Sequence, residues 1–187
     1  MFKAIVAAAA LSIAAIVPAG AVTITQSATP LVAFSNPLAD SFTGTINENV
    51  TDPGLVPGRR SPWEGTALDG SVYSSITGTA TYVFDSLRTS FSLVWGSPDS
   101  YNSLQFYNGN TLVATVLGSS IGGCCGFNVA NSSVKISGLQ FDSVVFVSGT
   151  PAFEYANISA AVPLPAGGLL LIGGLAGLAA LRRRKAA

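Results

Sequence analysis

An all-β domain, a jelly-roll-like sandwich of two sheets flanked by a secretory signal peptide and a C-terminal transmembrane helix, is what this 187-residue sequence predicts. Three observations carry that expectation. The middle of the chain is a series of short runs rich in Val, Ile, Thr, Phe and Tyr, separated by Gly, Pro, Asn, Asp and Ser, and no run places apolar residues at helical spacing over a useful length. Both ends are uncharged apolar stretches with cations on one side, Lys3 before the first and Arg182-Arg183-Arg184-Lys185 after the second. Only 10% of the residues are charged, against about 25% in an ordinary soluble domain, so open sheet edges would be hazardous and a closed sandwich is favoured.

The first element, residues 1–21, reads as a signal peptide. Lys3 orients it, the apolar run from Ala4 to Val17 is too short and too rich in alanine to span a bilayer stably, and Ala19 and Ala21 are the small residues a signal peptidase pocket needs. Cleavage is expected after Ala21. Ser12 is the single polar side chain between Lys3 and Pro18, which leaves no polar face for an amphipathic helix in a soluble core.

Residues 22–160 form the expected sandwich. Strands are expected at Ser71–Phe84, Thr89–Trp95, Ser103–Tyr107, Thr111–Leu117, Val134–Ser137, Ser143–Ser148 and Ala152–Ser159. Asn108-Gly109 suits a two-residue hairpin turn, in a register that sets Leu104 opposite Val113. This portion holds four cations against nine anions, a net charge of −5, so it lacks the basic footprint of a nucleic-acid partner. The whole chain has no histidine, which excludes histidine general bases, Ser-His or Cys-His nucleophile pairs and imidazole zinc ligands.

Asn47 to Gly70 breaks the strand rhythm with Pro53, Pro57, Pro62 and four glycines, and is expected to be a long loop. It carries Arg59, Arg60, Trp63 and Glu64. An exposed Trp63 beside an arginine would stack on a sugar ring or grip an acidic polymer; a buried Trp63 would plug one end of the sandwich. Trp63, Trp95 and Tyr101 are therefore the candidate ligand-binding residues. Asp69, Asp85 and Asp142 suit turns. Among the nine acidic residues no local motif selects a catalytic pair, although Asp99 and Glu64, each near a Trp or Tyr, would be the carboxylates to replace; the domain is expected to be non-catalytic. Cys124-Cys125, the two thiols of the chain, sit in Gly122-Gly123-Cys-Cys-Gly126; a bridge between neighbours, free thiols and intermolecular pairing are all open to them in an oxidising compartment. No cofactor and no metal is expected.

The last element, residues 161–187, is ordered as motif, span and anchor: Val162-Pro163-Leu164-Pro165-Ala166, then an uncharged stretch, then the cations and Ala186-Ala187. A helix over about 164–181 would rise roughly 27 Å, a minimal bilayer crossing. Arg182, Arg183, Arg184 and Lys185 cannot follow it into lipid, so they act as a stop-transfer plug that stays in the cytoplasm and leaves the sandwich on the far side. Pro163 and Pro165 keep the backbone before the span extended and accessible.

That order of parts resembles the carboxy-terminal sorting signal of exosortase-dependent proteins, of PEP-CTERM type, in its VPLPA variant. The resemblance implies that signal peptidase and a membrane-embedded exosortase are processing partners, that the exosortase recognises Val162 to Ala166, and that the chain passes from the inner membrane, with its domain in the periplasm, to the cell surface or extracellular matrix of a Gram-negative bacterium. The glutamate of the commonest signature is missing. Arg60-Ser-Pro-Trp63, Phe91 to Asn110 and Ala152 to Ile158 also resemble a family of exosortase-dependent surface proteins without assigned biochemistry, which implies extracellular placement and a sandwich; retention in or on exopolysaccharide is expected of such a surface protein. In related sandwiches an Asp often holds calcium where this chain has Ala156, although Glu154 and Asp99 would still offer oxygen ligands. The function expected is that of a structural or interaction module on the surface, with a carbohydrate-binding module as the alternative.

Overall fold

The computed structural model describes residues 21–27, 32–122, 124–125 and 132–163. Among these described residues eight strands run in the order β1 (Thr23–Ser27), β2 (Ser41–Val50), β3 (Leu55–Val56), β4 (Arg59–Arg60), β5 (Tyr73–Gly96), β6 (Asn102–Asn108), β7 (Thr111–Leu117) and β8 (Ser132–Ala161), with one 3-10 turn at Gly118–Ser120. The described residues are nearly all β, antiparallel and sandwich-like. Among them no helix is long and apolar enough to cross a membrane; the expected span at about 164–181, the plug at Arg182–Lys185 and the signal peptide up to Gly20 lie outside the described residues.

Hydrogen bonding joins the strands in the order β2-β5-β8-β6-β7, with β1 also on β8, while β3 and β4 form a separate hairpin. The sandwich arises because β5 and β8 are long and change partners along their length. The first part of β5 lies between β2 and residues 143–148 of β8, which in turn pair with β6. Beyond Arg88, β5 instead lies between residues 132–137 and 154–161 of β8, and β1 flanks the former. Two of the expected strand groups, 71–84 with 89–95 and 134–137 with 143–148 and 152–159, are thus pieces of single bent strands. β1 to β4 are additional to the sequence expectation.

Side-chain alternation along these strands fills the space between the two layers. Leu104, Phe106, Val144 and Phe146 from one layer meet Phe91, Leu93, Trp95, Val134 and Ile136 from the other, all essentially buried. Phe91 crosses the interior to Phe106 and Phe146, edge to face at 5.7 and 6.1 Å, and Trp95 stacks on Phe153 at 4.5 Å. The Tyr82 and Tyr155 hydroxyls bond each other at 2.8 Å inside this core, which satisfies two groups that burial would otherwise penalise.

The β6–β7 hairpin corrects the expected register. Asn108 pairs with Thr111, so the turn is Gly109-Asn110, and a bulge between Phe106 and Tyr107 then sets Leu104 opposite Val116 rather than Val113. Gly109 takes the positive φ (56°) that the first position of such a turn demands, and its N–H donates to Asp142 Oδ2 at 2.8 Å. The expected long loop is also built differently: β2 continues to Val50, β3 and β4 close around Pro57-Gly58, and successive turns run from Pro62 to Gly70.

Candidate functional site

Four short stretches of chain border a cleft of about 500 Å³ beside the sandwich. The β3–β4 hairpin contributes Leu55, Gly58, Arg59 and Arg60, and the turn after β5 contributes Ser97, Asp99, Ser100 and Tyr101. The remaining wall is Pro151, Ala152 and Glu154 of β8, together with Cys125.

Each wall is placed by structure beneath it. Residues 149–152 are extra within β8: the strand pairs with β5 through Ser148 and again from Phe153, and the chain between bulges outward. Buried Asn102 and Ser148 hold that bulge, Ser148 Oγ bonding Asn102 Oδ1 at 2.8 Å and Thr150 O at 2.6 Å while Asn102 Nδ2 donates to Ala152 O at 3.4 Å. The hairpin is held on the sheet where Gly96 pairs with Glu154. A Cβ on Gly96 would lie 2.9 Å from Pro62 Cβ and 3.1 Å from Glu154 Cβ, so glycine is what lets the Pro62 turn lie against the strand.

Glu154 is the most unusual group in the cleft, a carboxylate 3% exposed on a strand whose neighbours Phe153 and Tyr155 face the aromatic core. The Arg60 N–H donates to its Oε1 at 2.8 Å and the Ser97 hydroxyl to its Oε2 at 3.0 Å. Burial nevertheless dominates, lifting the carboxyl from 4.5 to about 7; the two hydrogen bonds pull it down and the Asp99 charge pushes it further up. Ser97 reaches it from a left-handed backbone (φ 38°), and Cys125 is also left-handed (φ 79°), conformations that cost non-glycine residues about 1 kcal/mol or more.

The cations of the hairpin are paired. Arg59 donates to Asp52 and Arg60 to Glu64, so their charge is largely spent within the loop. Among the described residues Asp99 has no cation in an ion pair; its Oδ2 accepts from the Tyr101 hydroxyl at 2.7 Å. Partial burial, and then that bond, push the Tyr101 hydroxyl up to about 12, so it stays protonated. Tyr101 is 38% exposed.

Of the aromatic residues proposed from sequence to meet a ligand, only Tyr101 lies on this cleft. Trp63 and Trp95 are wholly buried, and neither offers a ring to solvent. Trp95 points into the main core, in phase with Phe91 and Leu93. Trp63 packs with Tyr73, Val94 and Ala156 in a second, smaller core on the other face of the strands, its Nε1 donating to Val72 O at 2.9 Å. A large apolar ring in a proline-rich turn has found a sheet face to cover, so of the two readings of Trp63 the structure takes the buried one and leaves no ring exposed for sugar stacking. Of the two carboxylates singled out for mutation, Asp99 reaches the cleft and Glu64 serves as the partner of Arg60.

Cys124 and Cys125 are joined to each other by a disulfide, and the Cys125 N–H donates to Pro98 O at 3.1 Å, tying this segment to the turn that bears Asp99. No set of three or more Cys, Asp or Glu side chains among the described residues is arranged to hold a metal ion. Of the sorting motif, Val162 and Pro163 follow β8 directly and are exposed, while Leu164, Pro165 and Ala166 lie outside the described residues.

Sequence reasoning passed over Glu154 as a centre of this site. Alternation around Phe153 and Tyr155 does signal that it faces away from the main core, but its burial depends on Pro62 and Arg60, which are remote in sequence.

No family model matches the chain, and no curated protein or solved structure matches it.

Proposed function

We propose that this chain is an exported surface or matrix protein whose tail is the recognition signal of an exosortase, and whose sandwich is a non-catalytic interaction module of jelly-roll type. Signal peptidase removes residues 1–21, the helix over about 164–181 holds the chain in the inner membrane with the sandwich in the periplasm, and processing at Val162 to Ala166 releases it outward. The observation that carries this is the ordered trio at the carboxy terminus: two prolines in a pentapeptide, an uncharged span of minimal length, and four consecutive cations.

Two features of the fold support it. β1 begins at Thr23, so cleavage after Ala21 removes no strand residue. β8 ends at Ala161, one residue before the motif, and Val162 is 51% exposed, as a processing site must be. The test compares cells with and without the exosortase while the Val162–Ala166 segment is intact or replaced by alanine. Shortening of the intact chain only where the enzyme is present is expected; the same full-length carboxy terminus in every case would overturn the proposal. Replacing Arg182, Arg183, Arg184 and Lys185 by alanine is expected to let the span slip or misinsert, seen as reduced membrane retention and processing.

A further inference from the structure

We propose that the cleft over Glu154 is a saccharide subsite, taking a unit of a neutral extracellular glycan against the Tyr101 ring, with Asp99, Ser97 and Ser100 as partners for its hydroxyls. The proposal deepens the exported reading, which supplies a polysaccharide as the neighbour of this domain.

Size is the first argument: about 500 Å³ falls within the range of small-molecule sites and admits one or two sugar rings. The second is the mixture of walls. A pyranose offers apolar C–H faces and a rim of hydroxyls that both donate and accept. Tyr101 and Pro151 supply apolar surface for the faces, while Asp99, Ser97 and Ser100 supply acceptors and donors for the rim.

Charge then narrows the ligand. Arg59 and Arg60 are committed to Asp52 and Glu64, and among the described residues no cation forms an ion pair with Asp99, so the cleft carries an anion that disfavours phosphate, sulfate and uronate groups. A divalent cation would find no three-ligand set among the described residues. What remains is a neutral polyol. The walls are also pre-organised, by the Asn102–Ser148 hydrogen bonds on one side and by the Cys125–Pro98 contact on another, which reduces the ordering cost of weak carbohydrate contacts.

The experiment titrates purified full-length protein, in a detergent without a sugar headgroup, with short gluco-, galacto- and manno-oligosaccharides, and with alginate as the polyanionic comparison. At least one neutral oligosaccharide is expected to bind in the micromolar to millimolar range and alginate not to bind. Tyr101→Ala and Asp99→Asn are each expected to weaken that binding about tenfold, whereas Leu112→Ala on the exposed edge strand β7 leaves it unchanged. Amide chemical-shift changes in the unmutated protein are expected to centre on residues 97–101 and 151–154, a readout that does not depend on any variant folding. Absence of neutral-sugar binding, binding unaffected by both cleft substitutions, preference for alginate, or shifts centred elsewhere would each overturn the subsite. Because affinity is measured on purified chain and processing on chain mass in cells, failure of the subsite is distinguishable from failure of the sorting proposal.

Discussion

Phe146 and Glu154 stand on the same strand and are almost equally buried, yet their surroundings are opposite in kind. Phe146 lies among Tyr82, Phe91, Phe153 and Tyr155, with ring centroids 4.3 to 6.1 Å away. Glu154 lies between a backbone N–H, a serine hydroxyl and the field of Asp99. The first environment gains free energy from excluding water. The second loses some, because a carboxylate that leaves water is only partly compensated by two hydrogen bonds. Burial alone therefore does not mark a residue as structural; what it is buried among decides.

The largest expected effect sharpens that contrast at its apolar pole. Phe146→Ala removes the ring shared by four aromatic neighbours and is expected to lower unfolding free energy by about 3–5 kcal/mol in urea titration. Asp99→Asn at the open cleft is expected to change it by less than about 0.5 kcal/mol.

At the polar pole the effect depends on pH. Folding raises the Glu154 carboxyl from 4.5 to about 7, so the folded state favours the neutral acid. That contribution is whole below about pH 4.5 and is lost as pH rises through about 7, a loss on the order of 3 kcal/mol if Glu154 titrates alone. Asp99 across the cleft, with Arg59 and Arg60 lining it in their own ion pairs, share the same solvent. Glu154→Gln is expected to flatten this segment of the stability–pH curve, with the Ser97 hydroxyl turning to accept from the new amide. An unchanged slope between pH 4.5 and 7 would remove Glu154 as its source.

Gly96→Ala probes the junction between the two environments. Its methyl group would press on Pro62 and on the Glu154 backbone, 3.3 Å from the carbonyl oxygen, at an expected cost of about 1–3 kcal/mol with displacement of the Pro62 turn. A variant as stable as the parent would show that the hairpin is not held by this approach. The smallest effect is expected from Cys124→Ser with Cys125→Ser. A bridge between neighbours closes almost no loop, so its removal costs at most about 1 kcal/mol in thermal unfolding.

The same contrast explains what was legible in the sequence. Strands whose pattern alternates against the main core were readable: Leu104-Gln105-Phe106 and the run from Val144 to Phe146 stand where period-two reasoning sets them. β2 was not, because it is an edge strand whose first five residues, Ser41 to Thr45, are exposed, with Gly44 among them. The hairpin register slipped because the turn falls one residue later, at Gly109-Asn110, and because the bulge between the Phe106 and Tyr107 pairs leaves no mark in composition. Trp63 was visible as an anchor or a ligand platform, and only the second core formed by Tyr73, Val94 and Ala156 chooses between them. The cleft was the least legible region, since Arg60, Ser97 and Glu154 meet through tertiary contacts that no spacing records.

The most direct test of the whole account is intact-mass measurement of the mature protein recovered from culture, with both termini sequenced. A chain that begins at Val22 and ends within or beside Val162 to Ala166 is the expected result. A mature chain that still carries Arg182 to Lys185 would contradict it.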